Sequence, residues 1–256
     1  MSARVAEYDY VIVGAGSAGC VLANRLSADS RTNVLLVEAG PGKPSREISI
    51  PAAWVSLFKT AFDWNYETDP QANLDGRAVY WPRGKTLGGS SAINAQIYLR
   101  GHRSDFDEWA AAGCDGWGYE DVLPYFQKAE NPGPGNGPLW VSTVRDSNPL
   151  SQAFLESGLE IGLARNDQFS PDRLDGIGFG QFTRKDGRRS STAEAYLKPA
   201  LTRRNLEVWT GTQVNKVLLD GKTTTGVECS RAGERVEVSA RREVILSGAQ
   251  STLQCY

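Results

Sequence analysis

Tyr8-Asp9-Tyr10-Val11-Ile12-Val13-Gly14-Ala15-Gly16-Ser17-Ala18-Gly19-Cys20-Val21-Leu22 is the stretch from which the fold is read. Tyr10 to Val13 is a short β-branched run of the kind that forms a buried strand. Val21, Leu22 and Leu26 then recur at helical spacing. Asn33-Val34-Leu35-Leu36-Val37 is a second apolar strand, closed by Glu38. Strand, glycine turn, helix and strand within about thirty residues define a βαβ unit, which requires a parallel sheet. In such a turn Gly14 permits the tight bend, Gly16 lets backbone approach a pyrophosphate, and Gly19 lets helix and strand pack closely. Ser17 and Ala18 complete the turn, and the helix start offers free N–H groups and partial positive charge to phosphates. Glu38, nineteen residues beyond Gly19, sits where an acid accepts hydrogen bonds from ribose hydroxyls. The pattern predicts dinucleotide binding and leaves open whether the ligand is NAD or FAD, since both carry adenosine diphosphate.

A second motif follows a weakly periodic stretch. Arg83-Gly84-Lys85-Thr86-Leu87-Gly88-Gly89-Ser90-Ser91-Ala92-Ile93-Asn94 is polar and rich in glycine. Such a loop can lie against a flat ring, and a flexible surface loop has the same composition. Helices are predicted from Phe106 to Ala112, Tyr119 to Ala129, Pro149 to Leu163 and Ser191 to Leu201. In the third, Phe154, Leu155, Leu159 and Leu163 share a stripe. Asn131 to Pro138 is a turn-rich break expected to open a second domain. Strands are predicted at 206–209, 214–219, 226–230, 236–239 and 243–246, as a meander returning to the main sheet. The expected fold is thus α/β: a Rossmann-like parallel sheet with a β-meander, plus the incomplete start of an α+β second domain.

Charge and composition narrow the function further. The 256 residues carry 28 basic and 30 acidic side chains, a formal net charge of -2, with the signs interspersed. Neither a nucleic-acid-binding face nor a polybasic membrane anchor is indicated. No apolar run approaches the ~20 residues that span a bilayer, and residues 1–8 are too short and polar for a secretory signal. Cys20, Cys114, Cys229 and Cys255 are scattered without metal-ligand or redox spacing. A reduced, cytoplasmic setting is expected, and no residue is assigned to a metal. His102 is the sole histidine. Its expected role is a structural hydrogen bond rather than catalysis, and no catalytic residue is assigned. Ser190-Ser191-Thr192 reads as a helix cap. Trp64, Trp81, Trp109 and Trp117 are expected to pack rather than to cage a quaternary ammonium.

The second motif also carries a family resemblance. Gly84-Lys85-x-Leu87-Gly88-Gly89-Ser90-Ser91-x-Ile93-Asn94, followed by Tyr98, Gly101 and Asp107, resembles the first signature of the glucose–methanol–choline (GMC) oxidoreductases at every constrained position. Val37-Glu38-Ala39-Gly40, Asp115-Gly116-Trp117-Gly118-Tyr119, Ala193-Glu194-Ala195-Tyr196-Leu197 and Arg242-Glu243-Val244-Ile245-Leu246-Ser247 are similar to the same family, near its choline-dehydrogenase-like members. The resemblance covers residues 7–247. It implies FAD rather than NAD, and oxidation of a CH–OH group of a small alcohol by hydride transfer to flavin N5.

By that resemblance, Gly14, Gly16, Ser17, Ala18, Gly19, Glu38 and Ala39 are expected to hold the ADP half of FAD. Arg83, Gly88, Gly89, Ser90, Asn94, Ala95, Gln96 and Ile97 are expected along the pyrophosphate and the isoalloxazine, and the Val214 backbone at the adenine. Some members attach FAD through a histidine immediately before the asparagine. Ile93 stands there, so the cofactor is expected to be non-covalent. The implied domains are 1–138 with 203–256 for FAD and 139–202 as part of a substrate-binding domain. The family's second signature is only approached, since Ser247-Gly248-Ala249-Gln250-Ser251-Thr252-Leu253-Gln254-Cys255-Tyr256 has one residue too few between Ala249 and Ser251. The family's catalytic histidine pair has no counterpart. The expectation is a chain truncated before its catalytic residues, or alternatively an inactive FAD-binding protein. No feature specifies an oligomeric state.

Overall fold

The computed structural model describes residues 3–248, and the departure from the second signature at residues 249–256 lies outside them. The chain divides into two compact units, residues 1–95 with 191–256 and residues 96–190. By this division the inserted unit is residues 96–190, where the sequence-based expectation was 139–202. Residues 96–138 pack within the insertion, because Gln96 and Ile97 pair with the strand around Gln181 and Phe182 rather than with the first unit's sheet. The Asn131–Pro138 turn is accordingly internal to the second unit.

In the first unit, β1 (Ala3–Val13), α1 (Ser17–Leu26) and β2 (Val34–Val37) form the predicted βαβ core. After the insertion come β3 (Leu206–Trp209), β4 (Thr212–Asp220), β5 (Thr223–Arg231) and β6 (Glu234–Leu246). The sheet order is β3-β2-β1-β6-β5-β4, with β3, β2, β1 and β6 parallel and the β4–β5–β6 meander antiparallel. The two strands predicted at 236–239 and 243–246 are one continuous strand. Its first part pairs with β5 while its whole length runs beside β1.

The β-branched run is explained by burial on both faces. Val11, Val13, Leu35 and Val37 point one way and pack with Trp209, Val214, Val227 and Val238. Ile12, Val34 and Leu36 point the other way, against Cys20 and Ala23 of α1 and against Leu197 and Ala200. Each such side chain contributes about 1.5–3 kcal/mol on full burial. The predicted Ser191–Leu201 helix is a π-helical turn, Ala193–Leu197, running into Lys198–Ala200. Ser191 Oγ accepts the Glu194 N–H at 3.3 Å, so the serine caps this segment as expected.

The buried carboxylate of Asp9, within β1, ties that strand to the start of β2 and to the middle of β6. It accepts the Asn33 N–H at 2.8 Å and two guanidinium bonds from Arg241, at 3.1 and 3.2 Å. The Arg241 hydrogen bonds, then the Asn33 N–H, hold its pKa below the ordinary carboxylate value. A group depressed on folding stabilises above its unfolded pKa of about 3.9 and loses that contribution as pH falls through the folded value. Asp9→Asn should therefore lower stability at neutral pH, with the gap to wild type closing below about pH 4. Denaturant melts across that range check the sign; a gap that persists in strong acid would contradict it.

The second unit holds three helices, Arg103–Ala111, Tyr119–Ala129 and Pro149–Glu160. A small sheet joins Ile97–Tyr98, Gln181–Phe182 and Ser142–Thr143. The helix expected to reach Leu163 stops at Glu160, because Gly162 adopts φ +93°. Of its anticipated stripe, Leu155 is buried while Phe154 is 74% exposed. His102 caps the helix that begins at Arg103: its Nδ1 accepts the Ser104 N–H at 3.3 Å, and its own N–H donates to Asp105 at 3.0 Å. Trp64 stacks on Tyr66, whereas Trp81, Trp109 and Trp117 stay half exposed, so their packing is partial.

Candidate cofactor site

All of the candidate cradle in the first unit is built on the carboxyl ends of β1 and β2. Gly14, at φ +95°, turns the chain out of β1, and its N–H donates to the Val37 carbonyl at 2.8 Å. Gly16 is the N-cap of α1 and carries no side-chain cap, leaving helix-start N–H groups facing the cavity. Gly19 packs beneath the turn, where a Cβ would lie 1.9 Å from the Gly14 carbonyl oxygen. Only glycine fits there.

Glu38 is almost fully buried at the end of β2. Its two oxygens accept the Ala15 N–H at 2.9 Å and the Gly40 N–H at 2.8 Å. Burial pushes its pKa up, against the opposing pull of those N–H groups and of Lys85. The carboxylate thus locks the glycine turn to the loop after β2 while lining the cavity.

The second motif folds onto the first. The Gly88 N–H donates to the Ala15 carbonyl at 2.7 Å, joining the two loops backbone to backbone. Gly89, at φ +51°, starts the short helix Ser90–Ile93. A Cβ on Gly89 would lie 2.6 Å from the Gly16 Cα, and one on Gly84 would lie 2.2 Å from the Gly89 carbonyl. Ser90 Oγ accepts the Gly84 N–H at 3.1 Å, closing the loop on itself.

Asp63 sets the outer wall. It accepts N–H groups from Lys59, Asn65 and Arg83 and the hydroxyl of Tyr80. Burial works against its ionisation, but those hydrogen bonds prevail and hold its pKa below the ordinary value. Trp64 is thereby fixed, with the Lys85 ammonium 4.5 Å above its ring.

These elements enclose a cavity of about 240 Å³. Ten of the residues expected at the cofactor line it: Gly14, Gly16, Ser17, Ala18, Glu38, Ala39, Arg83, Gly89, Ser90 and Val214. Gly19 and Gly88 support the walls from behind. Asn94 and Ala95 follow the short helix outside the lining, and Asn94 donates its N–H to the Ser90 carbonyl. Gln96 and Ile97 belong to the second unit, where Gln96 is buried and its carbonyl accepts the Thr183 N–H, while Ile97 is 63% exposed.

Seven lining residues were not among those expected at the cofactor: Val13, Val37, Trp64, Gly84, Thr212, Ser247 and Gly248. Thr212 had a legible signal, since it lies two positions before Val214 on the same strand and so on the same face. Ser247 had none. It arrives through the parallel pairing of β6 with β1, and its N–H donates to the Val13 carbonyl at 2.8 Å.

The donor set fits a dinucleotide: a helix start with open N–H groups, a neighbouring carboxylate, and side-chain-free backbone where two loops meet. The buried Ser247 Oγ has no hydrogen-bond partner among the described residues, leaving a polar group at the cavity for a ligand to satisfy. The fold and site together define a dinucleotide-binding α/β protein. The GMC oxidoreductase family model matches residues 8–253, and the chain belongs to this family, whose members are FAD-dependent. It is 46% identical, over 97% of its length and 49% of the relative's, to an uncharacterized GMC-type oxidoreductase of Mycobacterium tuberculosis. It is 44% identical to the mitochondrial choline dehydrogenase of Homo sapiens, over 94% of this chain and 43% of that protein. Among solved structures it resembles pyridoxine 4-oxidase from Mesorbium loti, with a TM-score of 0.90 and 39% identity over 96% of this chain and 50% of that one. The chain spans about half the length of the relatives it matches.

Proposed function

We propose that this chain binds FAD non-covalently and is the cofactor-binding part of a flavoprotein that oxidises a CH–OH group of a small alcohol. The observation that carries the reading is the backbone junction between the two motifs, Gly88 N–H to Ala15 carbonyl beside the bare Gly16–Gly89 contact. A junction bare of side chains also lets a flat, pyrophosphate-linked ligand lie across both loops. Gly14 to Gly19 and Glu38-Ala39 would hold the adenosine diphosphate half, with Val214 at the adenine. Arg83, Gly88 to Ser90 and Asn94-Ala95 would serve the pyrophosphate and ring. When bound, the flavin supplies the acceptor for a hydride from the alcohol carbon. The protein's part is to bind, orient and shield it.

Choline-like primary alcohols are the favoured substrate class, since relatives at 41–44% identity include choline dehydrogenases. Residues within the second unit are assigned to the substrate side. A second reading is a flavin binder without turnover: within these 256 residues the one histidine, His102, caps a helix rather than standing free as a base. The scattered cysteines and the free thiols of Cys20, Cys114 and Cys229 support the cytoplasmic assignment. No helix among the described residues is long and apolar enough to cross a membrane.

Reconstitution tests the reading. The purified chain mixed with FAD and desalted should retain a visible flavin band at one flavin per chain. Acid precipitation should then leave the colour in the supernatant, because Ile93 offers no attachment atom. A colourless product after desalting would sink the cofactor assignment, and a yellow pellet would sink the non-covalent one. Choline oxidation followed with an artificial electron acceptor separates the enzyme from the inert binder.

A further inference from the structure

A second cavity, of about 680 Å³, lies wholly within residues 96–190 and shares no lining residue with the flavin cradle. Its size falls in the range of small-molecule sites, about 300–1,000 Å³. Its walls are aromatic, from Tyr98, Trp140 and Phe169, and are stiffened by Pro132, Pro134 and Pro171. A buried ion pair is set into the lining. Glu130 is 6% exposed, Arg100 Nε donates to it at 2.6 Å, and the Tyr98 hydroxyl donates to the same carboxylate. That cluster is internally neutralised and satisfied, so it fixes the wall without attracting charge.

Several other polar side chains of the lining have no hydrogen-bond partner among the described residues. Arg145 lines the cavity and makes no ion pair or side-chain hydrogen bond among the described residues. The side chains of Ser142, Ser170, Gln168 and Gln181 line it likewise without a partner. Lys185 adds further positive charge, its ammonium 4.4 Å above the Trp140 ring. Apart from Glu130, neutralised by Arg100, no acid lines the cavity. A guanidinium fork beside hydroxyl and amide donors, between flat apolar walls, is complementary to a planar organic anion.

We propose that this cavity binds a small ring-bearing carboxylate, whose carboxylate pairs with Arg145 and whose ring lies among Trp140, Tyr98 and Phe169. The site is independent of the flavin cradle and assigns the second unit a ligand of its own.

Calorimetric titration of the whole chain with benzoate tests this, with benzamide as the neutral isostere and inorganic phosphate as the ringless anion. Saturable binding of one benzoate per chain is expected, at least tenfold tighter than either comparison compound. Arg145→Gln, at an exposed position that does not threaten folding, should weaken benzoate at least tenfold. Lys185→Gln should weaken it less. Equal binding of benzamide, equal binding of phosphate, no saturation, or an unchanged Arg145→Gln affinity would each overturn the proposal. The flavin band reports the other cavity separately, so benzoate binding to a protein that fails to take up FAD would count against the cofactor reading alone.

Discussion

Gly89→Ala should abolish flavin retention and lower the melting temperature by many degrees. Gly89 holds φ +51° and ψ -134°, a region that side-chain-bearing residues occupy at a cost of about 1–3 kcal/mol. The added Cβ would also stand 2.6 Å from the Gly16 Cα, and neither backbone can yield alone. Gly88 beside it is bonded to Ala15, and Gly16 begins α1. Forced overpacking of this kind costs about 1–3 kcal/mol more. Together these losses approach the ~5–15 kcal/mol that separates folded from unfolded domains. Gly113→Ala is the matched control, since Gly113 has φ +98° but nothing within 4 Å of its Cβ position. It should cost only the backbone strain and leave flavin content intact. Thermal melts and flavin absorbance on both variants check the pair. A Gly89→Ala protein that stays yellow would show that the two loops do not share one ligand.

The other large effect is expected from Glu38→Gln. The carboxylate serves two buried N–H donors with its two oxygens, at 2.9 and 2.8 Å. An amide has a single oxygen, so one donor would face an NH₂ group. Leaving a buried donor unpaired costs about 1–3 kcal/mol. The glycine turn and the Gly40 loop would then part, and an acceptor for a ribose hydroxyl would weaken. Flavin affinity should drop about 10- to 100-fold, since a hydrogen bond to a charged group contributes about 1.5–3 kcal/mol. Glu38→Asp keeps the charge but is one methylene shorter, and should recover only part of the loss. Flavin titrations and denaturant melts of the three proteins give the comparison. Wild-type affinity in Glu38→Gln would remove Glu38 from the cofactor site.

The local chemistry of the cradle was legible before any coordinates. A β-branched run, three spaced glycines and an apolar strand ending in an acid are short-range patterns, and short-range sterics decide them. Tyr119–Ala129 and Leu206–Trp209 were read at the bounds they take, because periodicity and caps are local as well. Misreadings arose where the deciding contact was distant. Residues 236–239 and 243–246 look like two strands until β1 is laid beside them, and it joins them into one. Gln96 and Ile97 continue a loop in sequence, yet a strand more than eighty residues away takes them into the second unit.

By itself, then, the sequence settled the parallel α/β core, the glycine turn with its acid, and membership in an FAD-dependent family. Those features rest on backbone geometry and periodicity that a short window contains. Tertiary structure alone decided that Ser247, Gly248 and Trp64 complete the cradle, and that Gly16 and Gly89 touch. It also placed Arg145 in a cavity lined wholly by residues of the second unit. Each of these depends on strand pairings and loop contacts between residues tens to hundreds of positions apart, which are chosen by packing of the whole core rather than by any neighbourhood in the chain.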